Sequence, residues 1–147
     1  MAVLTLGLMI GFSSCKDDDD DSIVGKWVFS EVTANVTNPE NPEMAQAMEL
    51  MVKGMGASMM TGATLDVKSD GTFVASFMGE TTSTGTYTEK DGKYTINVDG
   101  EDAGDFMGED AQITVKGGVL TISSDLLDEE NKAMGFTKYI VNIKFKK

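Results

Sequence analysis

Cys15 is the only thiol in this 147-residue chain, and the chain contains neither histidine nor arginine. Those absences narrow the chemistry before any fold is considered. Zinc, haem and the usual nucleophile triads lose their ligands or their base. Nucleic-acid binding loses its guanidinium forks and its basic patch, because the net charge is −12 and all twelve cations are lysine. Carboxylate pairs are what remains for acid/base work. Carboxylates are plentiful in two places: an unbroken run from Asp17 to Asp21, and the stretch Asp99, Glu101, Asp102, Asp105, Glu109 and Asp110, interleaved with Gly100, Gly104 and Gly108. Neither stretch has the alternating ligand spacing of a calcium loop. The second reads as a solvated loop between strands, and no pair within it stands out as an acid and its base. The chain is therefore expected to be no enzyme and to carry no cofactor and no metal.

The chemistry of Cys15 follows from what surrounds it. The apolar run Ala2 to Phe12 is far short of the roughly 20 residues a helix needs to cross a bilayer and has the length of a cleaved signal segment. A buried, inert cysteine is the alternative, but this one stands directly before a charged run that stays in water. Gly11-Phe12-Ser13-Ser14-Cys15 resembles the lipobox of bacterial lipoproteins. That resemblance implies that residues 1–14 are a signal peptide and that Cys15 becomes the lipid-bearing N-terminus, with palmitate-type chains each contributing about 0.8 kcal/mol per buried methylene. The residues that follow, Lys16, Asp17, Asp18, Asp19, Asp20 and Asp21, repel one another and extend the chain. In that position they resemble the tag that sends Bacteroidetes lipoproteins to the outer face of the outer membrane. The implied location is the outer membrane, lipid-anchored and exposed on the cell surface, with a periplasm-facing protein as the alternative. Asp21-Ser22-Ile23 also resembles an O-glycosylation tripeptide of that phylum, while the sequon Asn35-Val36-Thr37 reads as coincidence in a bacterial chain.

Residues 15–24 thus form a lipidated acidic tether and 25–147 a single domain. With its one cysteine acylated, that domain has no internal disulfide. Short alternating segments separated by turn signals predict a meandering antiparallel sheet. Gly25 to Thr37 is a long first strand with Trp27, Phe29 and Val32 on or near one face. Leu65 and Val67 lead through Ser69-Asp70-Gly71 into Phe73, Ala75 and Phe77. Gly85 to Lys90 leads through Asp91-Gly92 into Tyr94, Ile96 and Val98, and Ile113 and Val115 lead through Gly117-Gly118 into Leu120 and Ile122. Asp-Gly is a strong hairpin cue. Lys138 to Lys146 closes the series, giving about eight strands, and closure into a barrel removes the exposed edges. Between the first two strands, Asn41 as N-cap, Pro42 at the first helical position and Glu43 in the first turn start a helix that runs to Gly54 or on to Met60. A second short helical turn is expected within 125–133.

Gly25-Lys26-Trp27 at the start of the first strand, followed by a meander, resembles the Gly-x-Trp signature of lipocalins and of lipocalin-like lipoprotein domains of the Bacteroidetes type. The fold so implied is all-β with one helix: an eight-stranded antiparallel lipocalin-like β-barrel with the helix inserted between strands 1 and 2. Gly25 and Trp27 then have a structural role, the indole closing one end of the barrel, and Lys144 or Lys146 covers it where that family has an arginine.

Met44, Met48, Met51 and Met55, continued by Met59, fall on one helical face in steps of four, three and four. Such a stripe suits ordinary core packing, methionine being a filler of irregular gaps. It also suits a lid over a hydrophobic cavity or a docking face for a partner, and least of all a copper(I) site, which lacks companion ligands. The inward side chains Phe73, Phe77, Tyr87, Tyr94, Ile96, Ile122, Tyr139, Ile143 and Phe145 predict a filled interior with at most a shallow pocket. The expected function is binding of a small hydrophobic ligand by a membrane-anchored lipoprotein. The alternative is interaction with another envelope protein through the methionine-rich helix, with a filled barrel and no ligand.

Overall fold

The computed structural model describes residues 22–99 and 111–147. The apolar leader, Cys15, the tag Lys16 to Asp21, and the acidic stretch beyond Asp99 lie outside the described residues. Eight strands follow one another around a closed antiparallel barrel: β1 (Gly25–Thr37), β2 (Ala63–Val67), β3 (Thr72–Phe77), β4 (Glu80–Lys90), β5 (Lys93–Val98), β6 (Gln112–Lys116), β7 (Val119–Asp125) and β8 (Lys138–Lys146). The helix α1 (Pro42–Met60) separates β1 from β2, and the short helix α2 (Glu129–Ala133) separates β7 from β8. The all-β barrel with a helix after its first strand, expected from the sequence, is the fold observed. No described helix is long and apolar enough to cross a membrane.

Turn chemistry sets the hairpins. Asp91-Gly92 and Gly117-Gly118 each place two successive residues at positive φ, which matches the twist of the strands they join. Met78-Gly79 does the same between β3 and β4, with Met78 at φ 51°. Nothing in a Met-Gly pair announces such a turn, and so the sequence reading starts this strand at Gly85 whereas β4 begins at Glu80. The first helix begins as its sequence predicts, and the second fills only the later part of the expected 125–133, starting after Asp128. The Met44 amide donates to the Asn41 side chain at 3.1 Å and the Asn131 amide to that of Asp128 at 2.7 Å, satisfying N–H groups that a helix start leaves without partners.

One irregularity in β1 decides how the barrel meets α1. Phe29 pairs with Phe145 and Val32 with Ile143, with a bulge between Phe29 and Glu31. Directly paired residues share a face, and the extra residue therefore keeps Phe29 and Val32 on the inner side although they are three apart. Beyond Val28 the ladder to β2 ends while that to β8 continues to Thr37. Across this half-covered stretch α1 packs with Ala45, Met48, Val52, Gly56 and Met60, which are buried or half-buried. Two clusters result: Ile23, Trp27, Leu65, Phe73, Ile113 and Leu120 anchor the barrel core, and Val36, Ala45 and Phe136 form a smaller one under the first half of the helix.

Candidate functional site

The barrel is filled from one end. Trp27, wholly buried, lies across the end where β1 starts, and its indole N–H donates to the Ile23 carbonyl at 2.7 Å. The cation over its ring is Lys147, whose Nζ stands 4.9 Å from the centroid. Lys144 and Lys146, expected in that place, are both elsewhere. Phe145 points inward, so strand alternation turns its two neighbours outward. Lys144 there donates to Glu31 at 3.0 Å, and Lys146 is exposed. Only the residue past the end of β8 is free of the pleat and able to fold over the indole.

Tyr87 and Tyr94 add their bulk toward the same end, edge to face with centroids 6.4 Å apart. The Tyr87 hydroxyl donates to the Lys68 carbonyl at 2.7 Å. Burial, with Asp70 and Glu89 nearby, pushes the Tyr87 phenol above its ordinary range, and burial does the same to Tyr139. Tyr139, expected inside the barrel, instead stacks on Phe136 in the smaller cluster under α1. It sits on the part of β8 that runs past the barrel alongside the end of β1.

With the large side chains gathered near Trp27, the opposite half is not filled. Ala63, Ala75 and Ser83 supply small side chains there, and a cavity of about 460 Å³ remains, walled by larger residues such as Phe77, Ile143 and Phe145 and roofed by Met59 and Met60 of α1. A filled interior was the sequence expectation, and this cavity corrects it. The error has a physical source: of the residues counted as inward, Tyr87 and Tyr94 lie toward the Trp27 end and Tyr139 lies outside the barrel, while Phe73, Phe77, Ile96, Ile122, Ile143 and Phe145 wall the other half without filling it. Among the described residues no ionisable side chain lines the cavity; Ser83, paired with the inward Ala75, brings a hydroxyl to it, whereas Thr64 and Ser76, paired with each other on the face of exposed Val28, border it through their backbone. The Thr82 hydroxyl is engaged with the Ala75 carbonyl at 3.2 Å. Carboxylates with lowered pKa lie on the outer surface, Glu31 through its bond from Lys144 and Asp70 through bonds from Thr72. Among the described residues, then, the cavity holds apolar surface and few hydroxyls.

The methionine stripe does not coincide with the packing face of α1. Met48 is half-buried in the smaller cluster, but Met44, Met51, Met55 and Met59 are exposed. The true contact line, Ala45, Val52, Gly56 and Met60, is displaced by one residue from the stripe and rests on alanine and glycine, whose small size lets the helix come close to β1. Met51, Met55 and Met59 border a second recess of about 310 Å³ between α1 and β8, where Val32, Val52 and Val141 form the floor. Met44 lines neither space. Met60 and Ser83 are site residues the sequence reading did not single out, whereas Ala75 was placed with Phe73 and Phe77 by period-two alternation without being assigned to a site. Of the second acidic stretch only Asp99 falls within the described residues; it accepts from the Thr84 hydroxyl at 3.1 Å.

No protein-family model and no curated protein sequence matches the chain. Among solved structures it is similar to the crystal structure of a DUF4847 family protein from Bacteroides vulgatus, at 17% identity over 83% of this chain and 91% of that one, with a TM-score of 0.48.

Proposed function

We propose that this chain is a non-enzymatic, lipid-anchored envelope protein that holds one small, uncharged hydrophobic molecule in the barrel beneath the end of α1. The observation that carries this reading is the cavity of about 460 Å³ with its apolar wall and sparse hydroxyls. Small-molecule sites have volumes of about 300–1,000 Å³ and the same mixture of apolar lining and few polar groups. A charged ligand finds no counter-ion among the described residues of that wall, and burying a charge unpaired costs far more than apolar contact returns. Anchoring through Cys15, with Lys16 to Asp21 as the display tag, is consistent with where the domain begins. Ser22 and Ile23 lead into β1 at the Trp27 end, so a tether there turns the cavity end of the barrel away from the lipid.

The test is binding of the neutral fluorophore N-phenyl-1-naphthylamine. Its emission is expected to rise with the wild-type protein and to fail to rise with Ala75→Phe, which fills the cavity; a wild-type protein that leaves the probe dark sinks the reading. For the anchor, Cys15→Ser is expected to move the protein from the membrane to the soluble fraction of its host.

A second reading has its own support. Met44, Met51, Met55 and Met59 are exposed along one side of α1, and adaptable methionine faces are used for docking. In that case an envelope protein, not a small molecule, occupies the helix. Crosslinking from position 44 in whole cells, with one reproducible protein adduct and no copurified small molecule, is the outcome that favours it.

A further inference from the structure

The barrel cavity and the recess between α1 and β8 share three walls: Met59, Met60 and Ile143 border both. From this we infer that the two spaces are chambers of one bent site, and that its ligand is an elongated, uncharged molecule with a flexible apolar chain, one arm in the barrel and the other under the helix. The inference rests on the ligand-binding reading above and specifies the shape and chemistry of the occupant.

Three observations favour a chain over a compact ring system. The partition between the chambers consists of two unbranched methionine side chains and one isoleucine, and methionine changes rotamer at little cost. Met59 is 64% exposed and so not locked by packing. The floor of the second chamber, Val32, Val52, Gly56 and Val141, is as apolar as the barrel wall, so a chain crossing the partition passes from one apolar surface to another. The second chamber belongs to the region where β1 has lost its β2 partner, and the bulge that keeps Val32 inward makes its floor continuous with the barrel interior. The Ser83 hydroxyl, on the inner face opposite Ala75, lies on the barrel side, and no described residue bordering the helix chamber carries a hydroxyl. An alcohol, ester or ketone head is therefore seated in the barrel and the tail runs under α1.

The experiment is displacement of N-phenyl-1-naphthylamine from the full chain by octanol, dodecanol and hexadecanol, with wild type and two variants. Met55→Trp fills the helix chamber from an exposed position, and Leu50→Trp places the same bulk on a part of α1 that borders neither space. Each methylene entering apolar protein raises affinity about fourfold. Wild type and Leu50→Trp are expected to bind hexadecanol far more tightly than octanol, whereas Met55→Trp retains octanol binding and loses at least tenfold in affinity for hexadecanol. Equal losses for both alcohols, or no loss for either, overturn the two-chamber site while leaving the barrel site standing. If the probe does not bind wild type at all, the ligand-binding reading fails and this inference with it.

Discussion

Gly56 lies so near Val32 that a methyl group added to it meets both γ carbons of the valine at 3.0 Å, whereas one added to Gly54, half a turn earlier, meets nothing within 4 Å. The first glycine is a packing requirement of the helix on β1. The second is an unforced weakness in a helix interior, where glycine costs about 1 kcal/mol relative to alanine. Gly54→Ala is accordingly expected to stabilise the fold by up to about 1 kcal/mol, roughly a 4 °C rise in Tm. Gly56→Ala sets the same helical gain against displacement of Val32 and is expected to be less stable than Gly54→Ala in thermal unfolding. Equal stabilisation by both would show that α1 does not rest on Val32.

Asn38 is a buried polar side chain whose nitrogen and oxygen both have partners. Its amide donates to the Met134 carbonyl at 3.0 Å, and its oxygen accepts from the amides of Glu40 and Asn41 at 3.1 and 3.0 Å. It thereby ties the link between β1 and α1 to the loop after α2. Removing it leaves two amides and a carbonyl without this partner, and a buried unpaired group costs about 1–3 kcal/mol. Asn38→Ala is expected to lower stability by about 2 kcal/mol or more, read as a shift in the urea midpoint at constant m value. A shift within error of zero would mean water replaces all three bonds.

Stability is expected to decline on the acid side through Glu31 and Asp70. The bond and charge of Lys144 hold the Glu31 carboxyl below its ordinary range, and the hydroxyl and amide of Thr72 do the same for Asp70, at 2.6 and 3.0 Å. A carboxyl whose pKa is lower in the folded than in the unfolded chain stabilises the fold above the unfolded value. That contribution is lost as pH falls through the lowered folded value. Both groups are exposed and the effect is small, with the Glu31 part weakened by salt. A series of Tm measurements between about pH 6 and pH 2 should therefore be flatter for the double variant Glu31→Gln, Asp70→Asn than for wild type. Parallel curves would assign the acid limb to other carboxylates.

Gly85 carries the ring of Phe73. A Cβ there would stand 2.7 Å and 2.9 Å from two ring carbons and against the Asn97 carbonyl as well. Overpacking of this kind costs about 1–3 kcal/mol, so Gly85→Ala is expected to destabilise by that amount. Phe73→Leu in the same chain should return part of the loss. A double-mutant cycle measures the coupling, and strictly additive effects would show that the two residues do not share the space.

The turns and helix starts were legible because each rests on local chemistry: Asp91-Gly92 and Gly117-Gly118 supply positive φ, and Asn41 with Pro42 caps and starts α1. The first half of β4, Glu80 to Ser83, was not. It is a hydroxyl-rich run without apolar alternation, and its turn uses a methionine at φ 51°. The methionine stripe was read correctly as one face of a helix, but of the roles open to it the exposure of Met44, Met51, Met55 and Met59 excludes ordinary core packing. Periodicity gives the angle between side chains but not the rotation of the helix, and that rotation is set here by the fit of Gly56 on Val32.

The amino-acid sequence by itself determined the class of this protein: strands of period two around hairpin turns, a capped helix between the first two, and no histidine, arginine or second thiol, because propensity, capping and residue chemistry act over a few neighbouring positions. Tertiary structure alone decided where the interior is full and where it is empty. A cavity is the difference between the volume a closed barrel encloses and the side chains eight strands send into it, and the bulge in β1, the rotation of α1 and the crowding of Trp27, Tyr87 and Tyr94 at one end are visible only when all the strands are in register.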